Sequence, residues 1–273
     1  MALSEEFDIE LPLLLEAIHL KYSYDFRRYA VSSLKRRLEQ ALQDLGYSSL
    51  SALQERVLRE PEVMRGLLAH LTVQVSEMFR DPSFYRALRE KVVPYLRTYP
   101  SLKVWIPGCA TGEEVFSLAI LLREEGLLER TLIYATDINP EALRKAEAGI
   151  YALERIADFS KAYCEAGGRA SLSDYYTAGY NAALFDKSLR ERVLFSDHSL
   201  ATDSVFAEVQ LITCRNVLIY FDRTLQDRAV GLFRDSICRK GFLGLGAKET
   251  LALSTHAAEF EELVREERIY QRR

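Results

Sequence analysis

The chain is poor in the residues and patterns that mark metalloproteins, disulfide scaffolds and membrane proteins. Its 273 residues hold four cysteines, Cys109, Cys164, Cys214 and Cys238, far apart and without a CxxC pair. That spacing speaks against a disulfide framework or a zinc site and suits reduced thiols. The four histidines, His19, His70, His198 and His256, are scattered with no i, i+4 pair, so neither a helical metal pair nor a histidine-based triad is expected. No apolar run is long enough to cross a bilayer. The opening MALSEEFDIELPLLLEAIHLKY sets acids before a short apolar run with no cleavage site, so it reads as neither signal peptide nor anchor. A cytoplasmic protein is expected. Repeats and low-complexity tracts are also missing. What remains is ordinary globular material, 48% hydrophobic and 28% charged with a net charge of -4. Such a chain can bury a sizeable core, and its mild acidity argues against a surface built as a whole for nucleic acid.

From residue 11 to residue 71 apolar residues recur every three to four positions: Val31, Leu34, Leu38, Leu42 and Leu45, then Leu53 with Val57, then Met64, Leu67 and Leu71. This is the amphipathic-helix period, punctuated by Gly46 and Pro61. It predicts a helical unit over 1–71, followed by a linking segment over 72–100 that contains a helix. From 101 to 273 strands and helices alternate: strands at 103–106, 132–135, 209–213, 242–245 and 268–270, helices at 113–122, 140–147 and 225–237. The fold class this implies is α/β, a doubly wound and mostly parallel sheet. Between 151 and 194 the rhythm weakens into glycines, serines and tyrosines, which predicts a small insertion, partly of short antiparallel strands, at about 170–195.

Three segments carry chemistry. Val104 to Glu114 reads as a strand, a turn bounded by Gly108 and Gly112, and a helix start. Tyr134 to Asp137 ends the next strand on a carboxylate. Cys214 to Asp222, CRNVLIYFD, follows an apolar strand and places an arginine, an asparagine and a tyrosine at its C-terminal tip, where open α/β sheets hold ligands. Together they look like a nucleoside-cofactor site. Glycines allow close backbone approach, while Glu113 and Glu114 would repel a pyrophosphate at the helix start, which disfavours a dinucleotide. Asp137 has the position of a ribose partner, or else of a helix cap ahead of Pro140.

The wording GCATGEE, ATDINPEAL, CRNVLIYFD and TVQVSEMFRD resembles the CheR family of chemotaxis-receptor methyltransferases, from about residue 17 to the C-terminus. The resemblance implies a Rossmann-like methyltransferase that binds S-adenosylmethionine, releases S-adenosylhomocysteine, and carries a small all-α N-terminal domain and an antiparallel β insertion. It implies cofactor contacts at Gln74, Ser76, Arg80, Gly108, Glu113, Asp137, Ser199, Leu200, Asn216 and Val217. Arg80 and Tyr220 match the polar residues beside the transferred methyl group. Gln74 and Ser76 stand where relatives usually have Asn and Thr, and Ser199 where many have Asn. The implied reaction is methyl transfer to glutamates of methyl-accepting chemoreceptors, a displacement that needs no general base because the acceptor, of pKa near 4.3, is already ionised at neutral pH.

Arg27, Arg28, Lys35, Arg36 and Arg37 concentrate positive charge in the helical unit. If all lie on one helix, Arg28, Lys35 and Arg36 share roughly a quarter to a third of its circumference, either as a solvated face or, as the resemblance implies, as a docking stripe for acidic receptor helices. The family also contains members that grip a receptor's C-terminal peptide by strand addition to the β insertion; here that insertion looks short. Two alternatives to the receptor methyltransferase are a module that binds the cofactor or its product without turnover, and a methyltransferase for another carboxylate.

Overall fold

The computed structural model describes residues 5–74 and 76–273. Met1 to Ser4 and Val75, the latter inside the TVQVSEMFRD run, lie outside the described residues.

Four helices come first: α1 (Glu5–Tyr22), α2 (Val31–Leu45), α3 (Leu50–Arg59) and α4 (Pro61–Leu71). Their apolar stripes, including Leu14, Ile18, Leu34, Leu38, Leu53, Val57 and Leu67, close on one another as a separate core. Gly46 ends α2 in the left-handed conformation at φ 75, Ser49 caps α3 by accepting from the Ala52 N–H at 3.1 Å, and Pro61 occupies the first turn of α4. Arg27 and Arg28 precede α2 and do not lie on it, contrary to the single-helix stripe. The reason is that the chain at 28–30 leaves a turn and pairs with residues 220–222: Tyr29 bridges Phe221, the Ala30 N–H donates to the Tyr220 carbonyl at 2.8 Å, and the Asp222 N–H donates to the Arg28 carbonyl at 2.8 Å.

Next come α5 (Pro82–Ala87) and α6 (Val93–Leu96), joined by a π-helical turn at Leu88–Val92. They lead into β1 (Leu102–Pro107), α7 (Glu113–Glu124), β2 (Thr131–Asp137), α8 (Pro140–Ala148), β3 (Ile150–Ala152), α9 (Ile156–Glu165), β4 (Tyr176–Gly179), β5 (Ala182–Phe185) and β6 (Val193–Asp197). The chain closes with β7 (Val209–Cys214), α10 (Arg223–Ser236), β8 (Ile237–Leu245), β9 (Phe260–Val264) and β10 (Ile269–Arg272).

The main sheet has the order β6-β2-β1-β7-β8-β10-β9. Its first five strands run parallel, and β10 and β9 add antiparallel at one edge. From β1 the chain winds outward through β2 to β6, then crosses back to β7 on the other side. The C-terminal ends of β1 and β7 therefore flank a topological switch point, the crevice in which such sheets bind ligands. Helices cover both faces, so the central strands are apolar on both sides, as parallel strands must be.

A second sheet, β3-β5-β4, is antiparallel. The stretch from 151 to 194, expected as an insertion partly of short antiparallel strands, also contains α9, whose Ile156, Phe159 and Tyr163 are buried. The helix keeps a helical period but is only ten residues long and runs into the glycines and serines of 167–173, which hid it, and β6, at the end of that stretch, belongs to the main sheet. The sequence reading also passed over β9, an edge strand with two exposed glutamates.

Candidate active site

The cleft at the switch point is built from backbone first. Leaving β1, the chain turns at Gly108 (φ +66), Ala110 (φ 48) and Gly112 (φ 91). A Cβ on Gly108 would stand 2.6 Å from Val217 Cγ2, so only glycine lets these strand tips approach. Asp137 locks the turn: its Oδ2 accepts from the Ala110 N–H at 2.9 Å and its Oδ1 from the Asn139 N–H at 2.9 Å. Asn139, not Asp137, caps α8, accepting from the Glu141 N–H at 2.9 Å. Burial pushes the Asp137 carboxyl above its ordinary range.

On the β7 side, Asn216 takes a left-handed conformation at φ 59. Glu249, 4% exposed, holds this tip by accepting from the Gly246 N–H at 2.6 Å, the Asn216 N–H at 3.0 Å and the Ile219 N–H at 3.3 Å. Burial raises its carboxyl too. Nothing near Glu249 in the sequence marks it as a brace for residues thirty positions earlier.

Arg80 projects from a segment flanked by left-handed Phe79 (φ 52) and Asp81 (φ 54), a conformation that costs roughly 1–3 kcal/mol for each such residue. Arg215 sustains it. The Arg215 guanidinium donates to the Arg80 carbonyl at 2.9 Å and to Asp81 at 2.7 Å, and stacks over Phe84 at 4.2 Å. Among the described residues, Arg80 itself makes no ion pair, because Asp81 is taken by Arg215.

These elements enclose a cleft of about 910 Å³, part of it continuous with solvent. Its wall includes Ser76, Arg80, Gly108, Asp137, Leu200, Asn216, Val217 and Tyr220, all singled out from sequence. The structure does not bring three others to this wall. Gln74 faces a neighbouring cleft. Ser199 accepts from the Ala201 N–H at 3.2 Å within its own turn. Glu113 is fully buried: Thr111 Oγ1 donates to it at 2.6 Å and Arg155 Nη1 at 2.8 Å. Its neighbour Glu114 lines the cleft instead, with Arg215 at 3.7 Å, and burial raises its carboxyl.

Arg37 also differs from the surface role expected of it. It is 8% exposed, donates to the Leu71 carbonyl at 2.6 Å, and lines the cleft with its guanidinium 4.4 Å over the Tyr220 ring. Helical period alone does not separate it from Arg36, which points outward one residue away. The remaining cations stay on the surface: Arg27 pairs with Glu16 and Asp25, Arg28 with Asp222 at 3.7 Å, and Lys35 with Asp8. His198 joins the cleft wall, its ring 5.2 Å from Trp105. Cys109 and Cys214 are buried, and burial pushes both thiols up, away from thiolate chemistry. Among the described residues no cluster of His, Cys, Asp and Glu is arranged to hold a metal, and no helix is long and apolar enough to cross a membrane.

Residues 74–267 match the family described as CheR methyltransferase, SAM binding domain, and residues 9–72 match CheR methyltransferase, all-alpha domain. The chain belongs to the CheR methyltransferase family. Its larger part is thus a domain that binds S-adenosylmethionine. A Pseudomonas putida protein bearing the name Cher3 is 58% identical over 265 residues, 97% of each chain. A chemotaxis protein methyltransferase of Listeria innocua is 27% identical, covering 83% of this chain and 84% of its own. Another, chemotaxis protein methyltransferase 2 of Pseudomonas aeruginosa, is 29% identical over 81% of this chain and 79% of its own. A solved structure of the N-methyltransferase NodS from Bradyrhizobium japonicum with S-adenosyl-l-homocysteine matches at 14% identity and a TM-score of 0.35, covering 62% of each chain.

Proposed function

We propose that this CheR-family chain works in the cytoplasm and transfers a methyl group from S-adenosylmethionine to glutamate side chains on the cytoplasmic helices of a chemoreceptor, forming methyl esters. The observation that supports this most is the meeting of Arg80, Asn216 and Tyr220 on one cleft at the sheet's switch point.

The donor set suits the cofactor. Asp137 keeps lone pairs after accepting its backbone bonds and can take ribose hydroxyls. Glu114 is the carboxylate on the wall for an ammonium group. Leu200 and Val217 offer apolar surface to a purine, and the Gly108 turn admits a ligand at close range. S-adenosylmethionine bound there supplies the methyl group on a sulfonium sulfur.

An acceptor carboxylate is already ionised at neutral pH. Its oxygen forms the new C–O bond while the C–S bond breaks, both electrons staying on sulfur, so a neutral ester and S-adenosylhomocysteine result and no proton moves. Arg80 offers a planar fork that orients a carboxylate. Tyr220, its ring held under Arg37, presents a hydroxyl with no partner among the described residues to the reacting oxygen. Opposite charges cancel on the way to the transition state, so orientation and exclusion of water supply the acceleration. Arg28, Lys35 and Arg36 are the surface cations available to an acidic receptor helix.

Labelled cofactor and a receptor cytoplasmic fragment test this reading. Label should enter the fragment as an ester that alkali releases as methanol. Binding of S-adenosylhomocysteine with no transfer to any fragment would replace the enzyme by a cofactor-binding module.

A further inference from the structure

A second cleft adjoins the first, about 1220 Å³ including space open to solvent. Among the described residues, Arg80 is the one on both walls. The outer wall of the second cleft is α9, the helix that the sequence pattern concealed. Its inner face is anchored by Phe159 and Tyr163. Arg155, just before it, stacks 4.7 Å over Phe159 and pairs with Glu113 at 2.8 Å. That pair ties α9 to the first turn of α7, beside the cofactor cleft.

Toward the second cleft α9 presents Asp158, Lys161 and Glu165. The spacings of three and four residues place them on successive turns of one face. All are exposed, and among the described residues none makes an ion pair. The face therefore reads negative, positive, negative, and lines the same cleft as the arginine that the two clefts share.

We propose that the second cleft receives the acceptor segment, and that α9 selects a helix whose charges read positive, negative, positive at the same spacing, delivering a nearby glutamate to Arg80. The inference rests on the methyltransferase reading above and adds a partner chemistry and a surface to it. Complementary charge at an exposed face acts on encounter and register more than on chemistry. The acceptor's KM is therefore the quantity that moves, and kcat is not.

The test reverses the pattern in the full chain, Asp158→Lys with Lys161→Glu and Glu165→Lys, and uses a chemoreceptor cytoplasmic fragment that the wild type methylates. The KM for the fragment should rise at least about fivefold, with kcat within about twofold, as expected for loss of steering and register at exposed charges. Calorimetric affinity for S-adenosylhomocysteine should match wild type, which also shows that the variant folds. Raising the salt should narrow the gap between the two proteins. An unchanged KM in a variant that binds the product normally overturns the α9 surface and leaves the enzyme reading intact. A wild type that binds the product but methylates no fragment overturns both.

Discussion

The Arg37 guanidinium lies 4.4 Å over the ring of Tyr220, so a residue of the helical unit forms part of the cleft at the sheet's switch point. Two backbone hydrogen bonds, which make the Tyr29–Phe221 bridge, reinforce the union, from Ala30 to Tyr220 and from Asp222 to Arg28.

Replacing Arg37 by Ala removes the stacked cation and the donor to the Leu71 carbonyl. A partly buried cation–π contact is worth about 1–2 kcal/mol, so turnover should fall about tenfold or more if that energy holds Tyr220 in register. Arg37→Lys should recover only part of the loss, because an ammonium lacks the planar fork. Steady-state rates for both variants, with thermal melting as a control for folding, measure this. Wild-type turnover in Arg37→Ala would detach Arg37 from Tyr220's role.

Much of this site is visible in the sequence because its parts are local. Gly108 and Gly112 bound a turn that chain geometry dictates, Asp137 ends a strand, and Asn216 and Tyr220 share one tip. Arg37, Glu249 and α9 were not visible for physical reasons. Burial of Arg37 depends on where residues 220–222 pack, and Glu249 acts across a long sequence gap. In α9, Ile156, Phe159 and Tyr163 keep helical spacing, but the helix spans only ten residues and runs straight into the glycine- and serine-rich stretch at 167–173. Glu113 and Glu114 are adjacent, and only the helix start decides that one is sealed behind Thr111 and Arg155 while the other faces the cleft.

Asp137→Ala should weaken S-adenosylhomocysteine by about 1–3 kcal/mol, the cost of leaving buried donors without their carboxylate. The Ala110 and Asn139 N–H groups lose their acceptor at the same time, so thermal stability should fall as well. Isothermal calorimetry reads the first effect. An unchanged affinity removes Asp137 from the site.

Burial raises the carboxyls of Asp137 and Glu114, which fixes the sign of a pH effect. A raised folded-state pKa means that the free protein holds more protons than the unfolded chain, so these groups favour the free fold at low pH, and that contribution is lost as pH rises through their raised values. The charged forms are the ones that accept hydroxyls or pair with an ammonium. Product affinity should therefore fall as pH drops below neutrality toward the raised values of these carboxyls, and binding there should release protons from the protein. Calorimetry in buffers of different ionisation enthalpy counts them. Proton uptake, or none, contradicts the assignment of these acids.

Reversing Arg28, Lys35 and Arg36 to Glu should lower receptor methylation and make it less dependent on salt, because exposed charges act through screened, long-range attraction. Product affinity should be unchanged, since these side chains point away from the cofactor cleft. Lys35 also loses its pair with Asp8, an exposed contact worth well under about 1 kcal/mol. Normal methylation by the folded triple variant would leave recognition to other surfaces.

The decisive measurement is single-turnover methyl transfer from labelled cofactor to a receptor cytoplasmic fragment, comparing wild type with Arg80→Ala at several pH values. With orientation by Arg80 and no catalytic base, the wild-type rate should stay flat between about pH 6.5 and 8.5. Arg80→Ala should bind S-adenosylhomocysteine yet transfer about a hundredfold more slowly, the penalty for a misplaced acceptor. Near-normal transfer by Arg80→Ala, or a steep pH limb in the wild type, would contradict methyl transfer by positioning at this cleft.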